Sequence, residues 1–170
     1  MHTEKNQHIY RHARTVIIIL TVLTVAFIWS NSLKNGSESM SVSNSILDII
    51  KPILDPGDRI PAHTFSFVLR KAAHFTEYMI LGAELSVLRR LFLCDGIHTE
   101  HLLAPFTVLS VATVDETIQR FTERTSSTLD VMLDFCGGMF GVLIACAIIR
   151  LFIVRKNRKK NTGEGIKPSI

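Results

Sequence analysis

ARTVIIILTVLTVAFIWS, residues 13–30, is the stretch that decides the fold. About 20 apolar residues cross a hydrocarbon core, and this run sits near the short end of that requirement. Trp29 closes it where an interfacial aromatic belongs. Arg11 and Arg14 ahead of the run would also suit a cleaved signal peptide. The run leads, however, into SNSLKNG, with no A-x-A-like cleavage site. The run predicts an uncleaved membrane span.

Working outward, the same alternation of apolar run and polar stretch recurs. The chain has 170 residues, enough for one domain, and its hydrophobic fraction of 47% is ordinary. That fraction is gathered into runs instead of being spread. A second span is expected from Thr64 to Leu91, a third from Leu102 to Ile118 and a fourth from Thr128 to Val154. Between the first two, Val42, Ile46, Ile49, Ile50 and Ile53 recur at helical spacing against Ser43, Asn44, Ser45 and Asp48. Asp55-Pro56-Gly57 stops that pattern with turn chemistry. The expected fold is an all-α membrane protein with four transmembrane helices and a short amphipathic surface helix between the first and second. Residues 1–12 form an N-terminal cytoplasmic tail, 13–154 the membrane domain and 155–170 a basic cytoplasmic tail.

The net charge is +4, but Arg155, Lys156, Arg158, Lys159 and Lys160 cluster directly after an apolar segment. That is the flank of a membrane span rather than a nucleic-acid patch, and no nucleic-acid partner is expected. With Lys5, Arg11, Arg14, Arg89 and Arg90 on the same side as this tail, both termini face the cytoplasm of a multi-pass cell-membrane protein. Cys94, Cys136 and Cys146 show no metal-ligand spacing, and an odd count argues against a disulfide framework.

The remaining ionisable residues are in awkward places. At 1.5 Å per residue, His74 lies roughly 5 Å and Glu77 roughly 9 Å below Lys71, while Asp115 lies about 9 Å before Phe121. Asp134 lies about 10 Å after Ser127 by the same rise. Spans two and four enter from outside and span three returns there, so these groups form one layer, with Ser30 and Asn31 closing span one at that level. Spacing also sorts them onto faces. Lys71, His74, Glu77 and Tyr78 make one stripe, Asp115, Glu116 and Gln119 a second, and Asp130, Asp134, Gly137, Gly138 and Gly141 a third. Charge in hydrocarbon is costly, so such groups pair or line a wet cavity.

Plainer readings compete at each position. Asp130 follows Ser127 in an S-x-x-D pattern and can simply cap the fourth span. Arg70 and Lys71 suit snorkelling anchors. Gly137-x-x-x-Gly141 is a packing motif that serves a homodimer or contacts within one chain equally well. Glu84 lies deeper and can pair with Arg89. The whole set can be a structural ion network without chemistry.

The stripes coincide with two signatures. Arg70-Lys71-Ala72-Ala73-His74-Phe75-x-Glu77-Tyr78-x-x-Leu81-Gly82 resembles the first motif of the VanZ-like family. Asp115-Glu116-x-x-Gln119-x-Phe121-x-x-x-Arg124, continuing through Asp130, Asp134, Gly137, Gly138 and Gly141, resembles its second. WSNSLKNGSES, residues 29–39, is similar to the family's serine-rich exit from the first span. The resemblance covers roughly residues 13–154. It departs at Thr122-Glu123, where many members carry Pro-Gly. It implies a cell-envelope membrane protein linked to reduced susceptibility to teicoplanin-type glycopeptide antibiotics, whose target lies outside the cytoplasmic membrane.

Two classes of function fit. In the first, an enzyme acts on a lipid-linked or cell-wall substrate at the outer leaflet. His74 is its general base or acid, Glu77, Asp115 and Glu116 orient it or hold a divalent cation, and Asp134 is counted with the same catalytic set. Lys71, Tyr78, Gln119, Arg124 and Asp130 bind the substrate. No nucleophile stands out beyond Ser30 and Thr128, so a covalent route is not indicated. His74-x-x-Glu77 is half of a familiar ligand pair and by itself specifies no metal or other cofactor. In the second, a non-enzymatic binder shields a membrane lipid, a cell-wall precursor or the glycopeptide itself, with residues 42–53 as a lid. A small transporter is a weaker third, since four spans without an internal repeat suit alternating access poorly.

Overall fold

The computed structural model describes residues 2–33, 45–46, 48–94, 102–122 and 127–164, and every regular element among them is helical. The long helices are α1 (His2–Ser32), α3 (Ala62–Cys94), α4 (Leu103–Phe121) and α5 (Thr128–Glu164). A short helix, α2, is described at residues 48–54. Val42, Ser43 and Asn44 of the expected amphipathic stretch lie outside the described residues.

The helix boundaries differ from expectation mainly at the chain ends. α1 is already helical from His2, and α5 runs on to Glu164 through the basic cluster. Lys and Arg are good helix formers, and backbone hydrogen bonding continues past the point where an apolar run stops. Two segments are long and apolar enough to cross a membrane, His8–Ser32 and Thr128–Arg158.

The turn after α2 is built on Asp55. Its carboxylate accepts the backbone N–H of Arg59 at 3.0 Å and of Ile60 at 2.8 Å, which holds the carboxyl below its ordinary pKa. The left-handed position falls on Asp58, at φ 47°, and its side chain pairs with Lys51. Ile49, Ile53 and Leu54 face outward.

The four long helices run up and down. Lys71 near the start of α3 meets Asp130 near the start of α5, and Gln119 near the end of α4 meets Ser32 at the end of α1. At the opposite end the Arg14 guanidinium lies 5.1 Å from the centre of the Phe92 ring. From Arg14 to Ser32 the helical rise is about 27 Å.

α3 and α5 share the most extensive interface, and glycine makes it. A Cβ on Gly141 would stand 1.9 Å from the Met79 carbonyl oxygen, and one on Gly82 would stand 2.0 Å from that of Gly138. A Cβ on Gly137 would meet the Phe75 carbonyl oxygen at 2.5 Å. The small-residue stripe of α5 therefore serves packing within the chain.

The burial pattern is inverted relative to a soluble bundle. Ser32, Asp115, Glu116, Gln119 and Asp134 are buried beside Ile28, Tyr78, Leu81 and Val108. Val22, Leu23 and Phe27 of α1 face outward, as do Phe106 and Val114 of α4 and Leu143, Ile148 and Phe152 of α5.

Candidate functional site

Four helices deliver polar groups to one end of the bundle interior. α3 contributes His74, whose Nδ1 stands 4.0 Å from Asp115 Oδ2 on α4. α5 adds Asp134, and one donor atom from each of His74, Asp115 and Asp134 lies within 4.8 Å of the others. Asp115 is fully buried and Asp134 is 2% exposed. Burial of carboxylates at this depth demands partners or a ligand.

The surrounding bonds hold the cluster in place. Gln119 Nε2 donates to Asp115 Oδ2 at 2.9 Å and to Ser32 Oγ at 3.1 Å, tying α4 to α1. Thr122 Oγ1 bonds the Ser32 carbonyl at 3.2 Å beside it. Asn31 Nδ2 donates to Glu77 Oε1 at 3.2 Å. The Tyr78 ring is fully enclosed, and its hydroxyl lies in the electrostatic field of Asp115, Asp134, Glu77 and Glu116. Glu116 is 3% exposed.

Lys71 and Asp130 lie at the partly exposed edge of this cluster. Their side chains pair, both are partly exposed, and the ammonium also lies 5.3 Å from the Phe67 ring centre. Asp130 is thus more than a cap. The cap at α5 is Ser127, whose Oγ accepts the Leu129 N–H at 3.2 Å.

Most of the expected site residues come together. His74, Asp115 and Asp134 form the centre, Glu77, Tyr78, Glu116 and Gln119 surround it, and Lys71 with Asp130 rims it. Arg124 lies outside the described residues, and Arg120 is exposed. Ser30 and Thr128, weighed as nucleophiles, are exposed as well. Sequence reasoning missed Ser32. Asn31 and Ser32 follow Trp29 at the depth of the cluster, so the count that stopped at Ser30 and Asn31 needed one residue more. It also missed that Glu84 accepts Thr24 Oγ1 at 3.0 Å, a cross-helix bond far below the cluster.

The helices, their apolar exteriors and the polar interior describe a helical membrane protein with a polar cluster inside the bundle. Residues 16–152 match the VanZ/LLP1 family model, and the chain belongs to that family. No curated protein and no solved structure is detectably similar to it.

Proposed function

We propose that all four long helices span the cell membrane and that the His74–Asp115–Asp134 cluster acts on the anionic headgroup of a lipid-linked envelope substrate at the outer leaflet. Two arguments support four spans where composition alone marks two. First, α3 and α4 carry His74, Glu77, Asp115 and Glu116 inward, so averaging along the sequence counts as polar a helix whose outer face is apolar. Second, the exposed threonines of these helices hide their hydroxyls: Thr76 donates to the Ala72 carbonyl at 2.8 Å, Thr113 to that of Leu109 at 2.8 Å and Thr117 to that of Thr113 at 2.7 Å. In lipid every polar hydrogen needs such an internal partner. The rise of about 27 Å between the Arg14 and Ser32 levels suits a hydrocarbon core of about 30 Å. The basic tail supports a cytoplasmic position for its own end, which on this reading leaves the cluster end outside.

The observation that carries the chemistry is a half-buried imidazole 4.0 Å from a fully buried carboxylate, with Lys71 at the rim. A carboxylate orients an imidazole and stabilises its protonated form, which equips His74 for general acid–base work. Lys71 supplies positive charge where an anionic headgroup would approach. Such a set suits hydrolysis or transfer at a phosphate or acyl centre, and a change in an envelope lipid would connect the site to teicoplanin-type susceptibility. The competing reading, a binder without chemistry, draws on the exposed Ile49, Ile53 and Leu54 of α2 as a surface-lying lid.

The test expresses the chain in a teicoplanin-sensitive bacterium and compares wild type with His74→Gln and Asp115→Asn. Membrane protein level and glycopeptide binding are followed in parallel. Loss of the susceptibility change with level and binding intact supports the enzyme. A loss that tracks binding or protein level sinks it in favour of the binder.

A further inference from the structure

We infer that His74, Asp115 and Asp134 hold one divalent transition-metal ion of the Zn2+ or Mn2+ kind. This deepens the proposed function of the same cluster. The first argument is geometric. Three donors from three separate helices bring one nitrogen and two oxygens within 4.8 Å of one another. Donors on a single ion at about 2.0–2.2 Å stand roughly 3–4.5 Å apart, so side-chain rotation of under about 1 Å completes the set.

The second argument is independent of those three residues. Glu116, 3% exposed, has neither carboxylate oxygen hydrogen-bonded among the described residues, and the enclosed Tyr78 hydroxyl has no such partner either. Glu116 acts electrostatically on both Asp134 and Tyr78. A carboxylate sealed from water with no donor costs several kcal/mol unless a cation offsets it. The cation that reaches Asp134 is Lys71, and its ammonium is already bonded to Asp130. A divalent ion at the centre supplies the missing positive charge to all three acids at once.

The donor set selects the ion. The imidazole suits Zn2+ over Mg2+ or Ca2+, while the two carboxylates also accommodate Mn2+. Glu77 is turned to Asn31 and is left outside the set. Three protein donors leave positions open on the ion for water or an anionic oxygen, as in catalytic rather than structural sites.

The experiment uses the full chain, purified in detergent, stripped with a chelator and titrated with Zn2+ and separately with Mn2+. One ion per chain is expected, with a dissociation constant in the micromolar range or tighter. His74→Gln and Asp134→Asn should each weaken binding on the order of tenfold or more. Glu84→Gln, on α3 but away from the cluster, should titrate as wild type. Bound Mn2+ should show pulsed electron-spin coupling to one imidazole nitrogen, and His74→Gln should abolish it. Elution volume and helical circular dichroism report folding of each variant. If Asp134→Asn does not fold, wild-type stoichiometry and the nitrogen coupling still decide. Binding well below one ion per chain, absent nitrogen coupling, or equal affinity in His74→Gln and Glu84→Gln overturns the inference. If no ion binds but His74→Gln still loses the antibiotic phenotype at normal protein level, the ion falls and the function stands. If variants that lose the ion keep the phenotype, the function falls and the ion stands.

Discussion

Two of the seams in this bundle use opposite chemistry. Along α3 and α5 the helices touch backbone to backbone, because Gly82, Gly137 and Gly141 remove the side chains between them. Along α1 and α4 the contact is made by polar side chains: Gln119 to Ser32, Thr122 to the Ser32 carbonyl, and a long 3.5 Å bond from Trp29 Nε1 to the Val111 carbonyl. The first seam is rigid and tolerates no added atom. The second is a set of individually modest bonds that can be exchanged. His74 and Asp134 ride on the rigid pair, and Asp115 is brought to them by the adaptable one. The site is thus a fixed half and an adjustable half.

The largest effect should come from the glycine seam. Gly141→Leu should force α3 and α5 apart and destabilise by about 3 kcal/mol or more, seen as loss of the folded species in thermal unfolding in detergent. Wild-type stability in Gly141→Leu would show that the seam is looser than its geometry. Gln119→Leu should cost about 1–3 kcal/mol, since it removes the buried donor that Asp115 and Ser32 share. That change should also mobilise the α4 end, measured as faster amide exchange at residues 115–122. The Lys71–Asp130 pair is partly exposed, so a double-mutant cycle with Lys71→Gln and Asp130→Asn should give a coupling of only about 0.5–1 kcal/mol. Lys71→Gln should instead weaken interaction with anionic lipid vesicles, and Asp130→Asn, which frees the ammonium, should strengthen it.

The smallest effect lies outside the bundle, at Asp55. Backbone N–H groups of Ile60 and Arg59 lower its pKa in the folded turn, so the unfolded turn takes up a proton first. The turn is therefore fully supported above the ordinary Asp pKa of about 3.9 and loosens as pH falls through the depressed value. The amide-exchange protection factors of Arg59 and Ile60, corrected for the intrinsic pH dependence, should fall below about pH 4 and stay level from pH 5 to 8.

Much of this arrangement was readable because helical rise and period are fixed. Counting 1.5 Å per residue put His74, Asp115 and Asp134 at one depth, and intervals of three and four put them on inward stripes. That count omits azimuth. It could not tell that Ser30 turns outward while Ser32 turns in, or that Gly137 and Gly141 face Phe75 and Met79 rather than another copy of the chain. Those facts depend on which helices become neighbours. The partner of Glu84 was hidden for the same reason: Arg89 is near in sequence, whereas Thr24 is near only once α1 packs on α3. Helix ends were misjudged because apolarity marks where a span ends and backbone bonding does not stop there.

The close fit of Gly82 against Gly138 also has a bearing on how the chain is made. On the four-span reading, α3 carries Arg70, Lys71, His74, Glu77 and Glu84, a poor passenger for lipid by itself. Its tightest partner, α5, emerges from the ribosome only after α4. α3 must then wait near the insertion machinery, half committed, until α5 arrives to cover it. The glycines that permit that late embrace act as a checkpoint on biogenesis: a chain cut short before Thr128 would leave α3 without a place in the bilayer.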